Sequence, residues 1–416
     1  MKNILFILPW LPYPLKSGGH QAIFNGIRAV VDDYNVFITY DKNEEDDDSE
    51  ECAELLKLFN NRIKILPFKK TFVKEQQSIV IKSYIKFWNF IKCLKQKFGL
   101  SKEIYNPSFF QISITDNQRT IFLNNLIVKF NIDIVQCEML NCISDILILP
   151  SNIKKIYVQH QIDYIYNKLN LQEKNLINDF KKEYEWSKQN EIFLLNRYNA
   201  VIALSEYDKN IMEKDGVLAP IYVSPAIIST ELKPYKICRK TKILSFVGPS
   251  SHTPNKNGIE WFLKNCWIEL KKLDPAYELQ IIGEWDYTSI KSIQKTYQDV
   301  QFCGFISDLA KKIENTIMIV PIKIGSGIRM KILEAISLGV PVVSTSVGAQ
   351  GLPLEDSIDC FITDNPQKFI ENILKLKDET VHKTLVQNAQ NKIKQNYSIQ
   401  SFRKERINIY ERTFSS

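Results

Sequence analysis

The feature that most constrains this chain is a folding unit that occurs twice. Residues 4–8, ILFIL, form a short, dense apolar run. A proline-rich stretch then turns into Gly18-Gly19, after which Ala22, Ile23, Ile27, Ala29 and Val30 recur at helical spacing. An apolar run without alternation suits a parallel strand covered on both faces. Strand, glycine turn and helix together open a doubly wound domain. Residues 243–247, ILSFV, begin the unit again, followed by a turn-rich loop over 248–257 and a helix predicted over 258–273. With 416 residues, the chain is long for one core and comfortable for two domains.

The pattern between these openings is consistent with that division. In the first half, strands are predicted over 36–39, 63–66, 132–136, 153–158 and 201–204, with a long helix over 171–194. Pro220, Pro225 and Pro234 interrupt the pattern, so the first domain is expected to span 1–225 and the second 235–396. The second half predicts strands over 279–282, 300–302, 318–320, 340–344 and 360–363. Its helices are expected over 307–313, 330–338 (with Gly339 as C-cap), 366–376, 381–395 and 399–411. The acidic run 44–51 reads as a solvated loop. The fold class is therefore α/β, with two Rossmann-like parallel-sheet domains facing a cleft. A cleft at the strand ends is a favoured ligand site.

Composition narrows the function. The eight cysteines are scattered, with no CxxC and no His/Cys ligand set, so no metal or other cofactor is expected. The apolar N-terminal run is cut by Pro9, Pro12 and Pro14 and lacks a small-residue cleavage site. It reads as a first strand rather than a signal peptide. No stretch reaches the roughly 18–20 apolar residues of a membrane span, so any membrane contact is expected to be peripheral, on a cytoplasmic protein. The net charge of +7 favours anionic partners. Residues 68–98 interleave lysines with aromatic residues, which fits either an anionic membrane surface or a first-domain helix with a solvated basic side. No nucleic-acid recognition motif accompanies the basic stripe, so no nucleic acid is expected.

The most specific stretch is 321–351, PIKIGSGIRMKILEAISLGVPVVSTSVGAQG. Gly325 and Gly327 allow a close backbone approach, and their amides can point at phosphate oxygens. The helix that follows adds a positive N-terminus, and Arg329 and Lys331 add charge beside it. Glu334 lies inside that helix, where it serves either as an acceptor for the hydroxyls of a nucleoside sugar or as a surface partner of Lys331.

Taken with PWLPYPLKSGG at 9–19, ALSEYD at 203–208, SFVGPSSHTPNKNGIEWF at 245–262 and CGFI at 303–306, this stretch resembles glycosyltransferase family 4, also called group 1, with the GT-B fold. The resemblance covers nearly the whole chain and is strongest at 325–345. It implies a retaining transfer of sugar from a nucleotide-diphosphate donor held by the C-terminal domain to an acceptor held by the N-terminal domain. The last helix is implied to cross back onto the first domain. By position, Glu334 resembles the second acid of the family's paired-glutamate motif, which contacts ribose. The first acid should stand eight residues earlier, where this chain has Ser326. The arginine and lysine of the family's donor loop are replaced by Pro249 and Asn257 around the retained Gly248, which leaves Arg329, Lys331 or Lys256 to face the diphosphate, the first two being preferred. Gly18 and Gly19 match the glycine loop that approaches the phosphates from the first domain. His160, in YVQHQID, resembles the active-site histidine, and Glu206 the acid that orients an acceptor or braces the hinge. His20 lies beside the glycine loop without evidence of proton transfer.

The acceptor implied is a glycan, a lipid-linked glycan or a protein, in surface polysaccharide or glycolipid synthesis. Other readings remain open at this stage: a catalytically degenerate GT-B partner subunit, or a sugar phosphorylase or nucleotide-sugar epimerase on the same scaffold.

Overall fold

The computed structural model describes residues 1–42, 47–69, 109–110, 112, 116–227, 232–233 and 242–415. Apart from Phe68 and Lys69, the basic aromatic segment 68–98 lies outside the described residues. Residues 44–46 of the acidic run, with Asn43 before them, do as well.

Among the described residues, two wholly parallel sheets form. The first has the strand order Ile63–Ile65, Asn35–Lys42, Asn3–Leu8, Ile134–Glu138, Lys154–Gln159, Ala200–Ala203, Ile221–Val223, and Phe68–Lys69 pairs with the far end of Asn35–Lys42. The second runs Val300–Phe302, Glu278–Ile282, Ile243–Val247, Ile317–Val320, Val342–Ser344, Phe361–Ile362. Both reverse direction beside their first strand, in the 3-2-1-4-5-6 manner of dinucleotide-binding domains. Crevices at the carboxyl ends of the strands therefore open next to Leu8 and Glu138 in one domain and next to Val247 and Val320 in the other. The central strands are buried on both faces, as in Ile4 to Leu8, all at 0% exposure, which is why they read as unbroken apolar runs.

The chain returns to the first domain at its end. Helix Ile399–Ser415 buries Phe402, Arg406, Ile409, Tyr410 and Thr413, one face at helical spacing, and packs against helix Gly18–Val30. Burial of each large apolar side chain there contributes roughly 1.5–3 kcal/mol. Arg403 pairs with Asp33 at 2.8 Å, and Tyr34 donates to Glu411 at 3.1 Å.

Some sequence expectations need correction. The long helix expected over 171–194 is two helices, Asp163–Glu173 and Lys181–Leu195, separated by Asn175 with φ +55°. Asparagine tolerates that left-handed turn, and an apolar pattern continuing through 176–180 conceals the break. The acidic run passes into helix Ser49–Leu58, whose first turn holds Glu50 and Glu51, where acids complement the helix dipole. The proline-rich region near 220 contains the edge strand Ile221–Val223, since Pro220 stands just ahead of it and costs no ladder bond. The helix expected from 258 begins at Thr253 and contains a π-helical turn over Leu263–Trp267.

Candidate active site

The two domains meet through helix starts. In the first domain, the loop after Asn3–Leu8 ends at Ser17, which caps helix Gly18–Val30 and bonds His20 Nδ1 at 2.8 Å. In the second, the loop after Ile317–Val320 ends at Arg329 and enters helix Met330–Ser337. These N-termini face one another: a Cβ on Gly18 would stand 3.1 Å from Met330 Cγ. The Met330 helix has neither a side-chain cap nor an acid in its first turn, so its amides keep their positive potential.

Arg329 and Lys331 face the cleft between these helices. Arg329 Nη1 donates to the carbonyls of Ser326 (2.7 Å) and Gly327, folding the glycine loop around its own guanidinium. Nε and Nη2 are buried and have no partner. Burial lowers its pKa to about 10, opposed by the carboxylate of Asp208. Lys331 Nζ lies over the Phe246 ring, 4.2 Å from the centroid, and donates to Asn255 Oδ1 at 2.8 Å. Burial, then the neighbouring Arg329, brings its pKa down to about 7. Among the described residues, neither cation forms an ion pair. Two adjacent cations without a carboxylate partner, one with orphaned donors, are the preorganised half of an anion site.

The glycines are required where the backbones converge. Gly327, at φ +78°, lies so close to the His160 carbonyl that a Cβ would overlap its oxygen. Gly325, at φ +152°, leaves the space taken by the Arg329 guanidinium, and Gly248, at φ +146°, the space taken by the Asn255 amide. Ser326 is buried, and its Oγ accepts the Ile162 amide at 2.9 Å, a bond between domains. Glu334 does not pair with Lys331; its carboxylate lies beside Gln21 of the first domain, and burial raises its pKa against that amide's opposing effect. Gly19 lies under Met139, a residue at φ +68° just beyond strand Ile134–Glu138.

His160 follows strand Lys154–Gln159, and its Nε2 bonds Glu138 Oε2. The structure thus brings Gly18, Gly19, His160, Gly248, Gly325, Ser326, Gly327, Arg329, Lys331 and Glu334 to one cleft. His20 is close but occupied: it stacks on Trp10 at 5.4 Å, and burial lowers its pKa to about 4, with Lys16 adding to the shift. Glu206 is exposed in the first turn of helix Glu206–Asp215. The acid that turns toward the cleft is Asp208, buried, accepting from Ser205 Oγ at 2.7 Å and sensed by Arg329.

Residues 241–379 match the sequence profile of the family described as glycosyl transferases group 1. The matched residues make up most of the second domain, and the match supports a glycosyltransferase. The solved structures similar to this glycosyltransferase share its GT-B fold. Among them are S. aureus TarM (TM-score 0.70, 14% identity, covering 100% of this chain and 99% of that one) and sucrose-phosphate synthase of Thermosynechococcus elongatus (TM-score 0.71, 13% identity, covering 100% of each). Among curated proteins, the glycosyltransferase is similar to the UDP-Gal:alpha-D-GlcNAc-diphosphoundecaprenol alpha-1,3-galactosyltransferase of Escherichia coli. The identity is 22%, and the match spans 53% of this chain and 61% of that enzyme's length. It is also 22% identical to an uncharacterized protein in the cps region of Klebsiella pneumoniae, over 95% of this chain and 97% of that protein.

Asp208, Gln21, Asn255, Glu138 and Gln136 were not singled out from the sequence. For the last two a signal existed: polar residues at i and i+2 inside a strand expected to be apolar on both faces. Asp208 is two places beyond Glu206 in the same ALSEYD motif, and only the helix's orientation separates the two acids. Among the described residues, no group of three or more His, Cys, Asp or Glu side chains could hold a metal ion, and no helix is long and apolar enough to cross a membrane.

Proposed function

We propose that this glycosyltransferase moves a sugar, with retained anomeric configuration, from a nucleoside-diphosphate donor to a glycan or lipid-linked acceptor during surface polysaccharide synthesis. The observation that carries the reading is Arg329: a guanidinium with two buried, unpartnered nitrogens, beside Lys331, which among the described residues has no ion-pair partner, at the N-terminus of a helix whose counterpart starts at Gly18. The diphosphate would lie between those helix starts and gain charge there as the glycosidic bond breaks. Glu334 would exchange Gln21 for the two ribose hydroxyls. His160 would bond a hydroxyl of the sugar, and the acceptor would enter from the first-domain side, giving its proton to the departing phosphate on the same face. Closure of the domains through Ser326 and Gly327 would keep water from competing.

The donor class is supported by similar proteins solved with UDP or a UDP-sugar, among them HepE of Anabaena in complex with UDP-glucose. The lipid-linked acceptor is supported by the diphosphoundecaprenol enzyme of E. coli, and the polysaccharide setting by the cps-region protein. A cytoplasmic position at the inner face of the membrane follows from such an acceptor. The proposal assigns the reaction no metal or other cofactor; Arg329 and Lys331 carry the positive charge.

The test is to incubate the purified chain with UDP- and GDP-sugars, with and without envelope lipid extract, and to follow nucleotide release and lipid mass. Release coupled to the gain of one sugar by a lipid supports the proposal. Folded protein that neither binds nor turns over any donor would favour a partner subunit. An isomerised donor or a sugar phosphate would instead favour an epimerase or a phosphorylase.

A further inference from the structure

A line of buried polar side chains crosses the first domain from the last helix to the cleft. Tyr410 and Gln136 are 0% exposed and Glu138 is 2% exposed. Arg406 lies beside the Tyr410 hydroxyl and donates to Ser224 Oγ at 3.3 Å, and Tyr410 donates to Gln136 Oε1 at 2.6 Å. Gln136 Nε2 donates to Glu138 Oε1, and Glu138 Oε2 meets His160 Nε2. Gln136 and Glu138 stand at i and i+2 on one strand, so both point to the same face, the one covered by the C-terminal helix. Buried polar groups cost stability unless fully paired, and here each is paired with the next.

The chemistry fixes the direction of every bond. A tyrosine hydroxyl donating to Gln136 commits that amide's oxygen to Tyr410 and its nitrogen to Glu138. An ionised Glu138 only accepts, so His160 must donate through Nε2–H. In the neutral ring Nδ1 then carries the lone pair, and it is the nitrogen left for a substrate hydroxyl.

We propose that Glu138, Gln136 and Tyr410 are positioning residues: they hold His160 in the Nε2–H tautomer and couple the seating of the C-terminal helix to the competence of the cleft. This deepens the reading above, since it rests on His160 meeting the sugar. A carboxylate-to-histidine bond that sets the working tautomer is a general device. Here the device is anchored on a helix that the chain adds only after its second domain is complete. Active geometry at His160 therefore requires the two ends of the chain to be docked.

The test uses the full chain with ¹⁵N-labelled histidine. The sequence has four histidines, and the His160 signals are assigned by their loss in His160→Ala. The neutral wild-type ring is expected to carry its proton on Nε2 alone. In Glu138→Gln, a donor-only NH2 replaces one of the two carboxylate oxygens that meet Gln136 and His160, so the tautomer shifts or a bond of the line is lost. Turnover of whichever UDP-sugar proves active is expected to fall about tenfold, with UDP binding within about twofold of wild type. Tyr410→Phe is expected to lower turnover about threefold with the same UDP affinity, and to mix the His160 tautomers. A wild-type proton on Nδ1, or a spectrum and turnover unmoved by Glu138→Gln and Tyr410→Phe, would overturn the proposal. If Glu138→Gln does not fold, the wild-type spectrum and Tyr410→Phe decide it alone. Undiminished turnover in His160→Ala would instead sink the site reading, while the tautomer still reports on the line of side chains.

Discussion

Lys331→Met should weaken UDP binding without weakening the protein. In the free chain, Lys331 sits between Phe246 and Asn255 with its pKa brought from 10.5 to about 7 by burial and by Arg329. At about 1.4 kcal/mol per tenfold, that gap would reach several kcal/mol for a fully buried cation. The side chain keeps some exposure to the cleft, and solvent screening leaves about 1–2 kcal/mol. Methionine removes this cost while forfeiting the Asn255 bond and the ring contact, together about 1 kcal/mol. Stability near pH 7 should therefore be unchanged or higher by up to about 1 kcal/mol. The sign with pH follows from the depressed pKa: the cost is complete below about pH 7 and fades as pH rises toward 10.5, so any stabilisation by methionine shrinks over that window. A charge-assisted bond to phosphate is worth about 1.5–3 kcal/mol, so UDP affinity should drop about 10- to 100-fold. Affinity in the wild type should also decline as pH rises above 7 and Lys331 loses its proton, and that decline should vanish in the variant. Urea unfolding and calorimetric titration with UDP measure both quantities. A variant that is clearly less stable yet binds UDP within twofold of wild type would refute the assignment of Lys331 to the phosphates.

Three other perturbations separate structure from chemistry. Gly327→Ala places a Cβ on the His160 carbonyl at φ +78° and should cost about 1–3 kcal/mol in urea unfolding, with turnover reduced as the domains are forced apart. Ser326→Ala removes the bond to the Ile162 amide, about 1 kcal/mol of closure; donor hydrolysis should rise relative to transfer while UDP affinity stays within about threefold. Asp208→Asn should shift the UDP affinity of the Arg329 cradle several-fold, whereas Glu206→Ala, at an exposed position, should leave it within twofold when both are titrated with UDP.

Where local pattern and burial agree, the sequence is transparent. The runs at 4–8 and 243–247 announce strands because both faces of each are covered, and the glycines after them announce the turns. The glycine loop and Arg329, Lys331 and Glu334 lie within ten residues of one another, so the donor half of the cleft can be read along the chain. What the sequence conceals is contact between distant segments. Ser326 reads as a missing acid, but the structure shows it bonded to a first-domain amide. Lys331 and Glu334 look like a helix-surface pair, yet one turns to Asn255 and the other to Gln21. Glu138 is hidden because its strand runs two residues beyond the end expected at residue 136, and its partner His160 is on the neighbouring strand's exit. Asn175 breaks a helix that apolar spacing alone would continue.

The most direct measurement is a crystal structure of the full chain with UDP bound. The β-phosphate is expected within hydrogen-bond reach of the Arg329 Nε or Nη2 and of Lys331 Nζ, with the ribose hydroxyls on Glu334 in place of Gln21. A diphosphate bound elsewhere, with Arg329 still unpartnered and Glu334 still on Gln21, would contradict the assignment of this cleft to the donor.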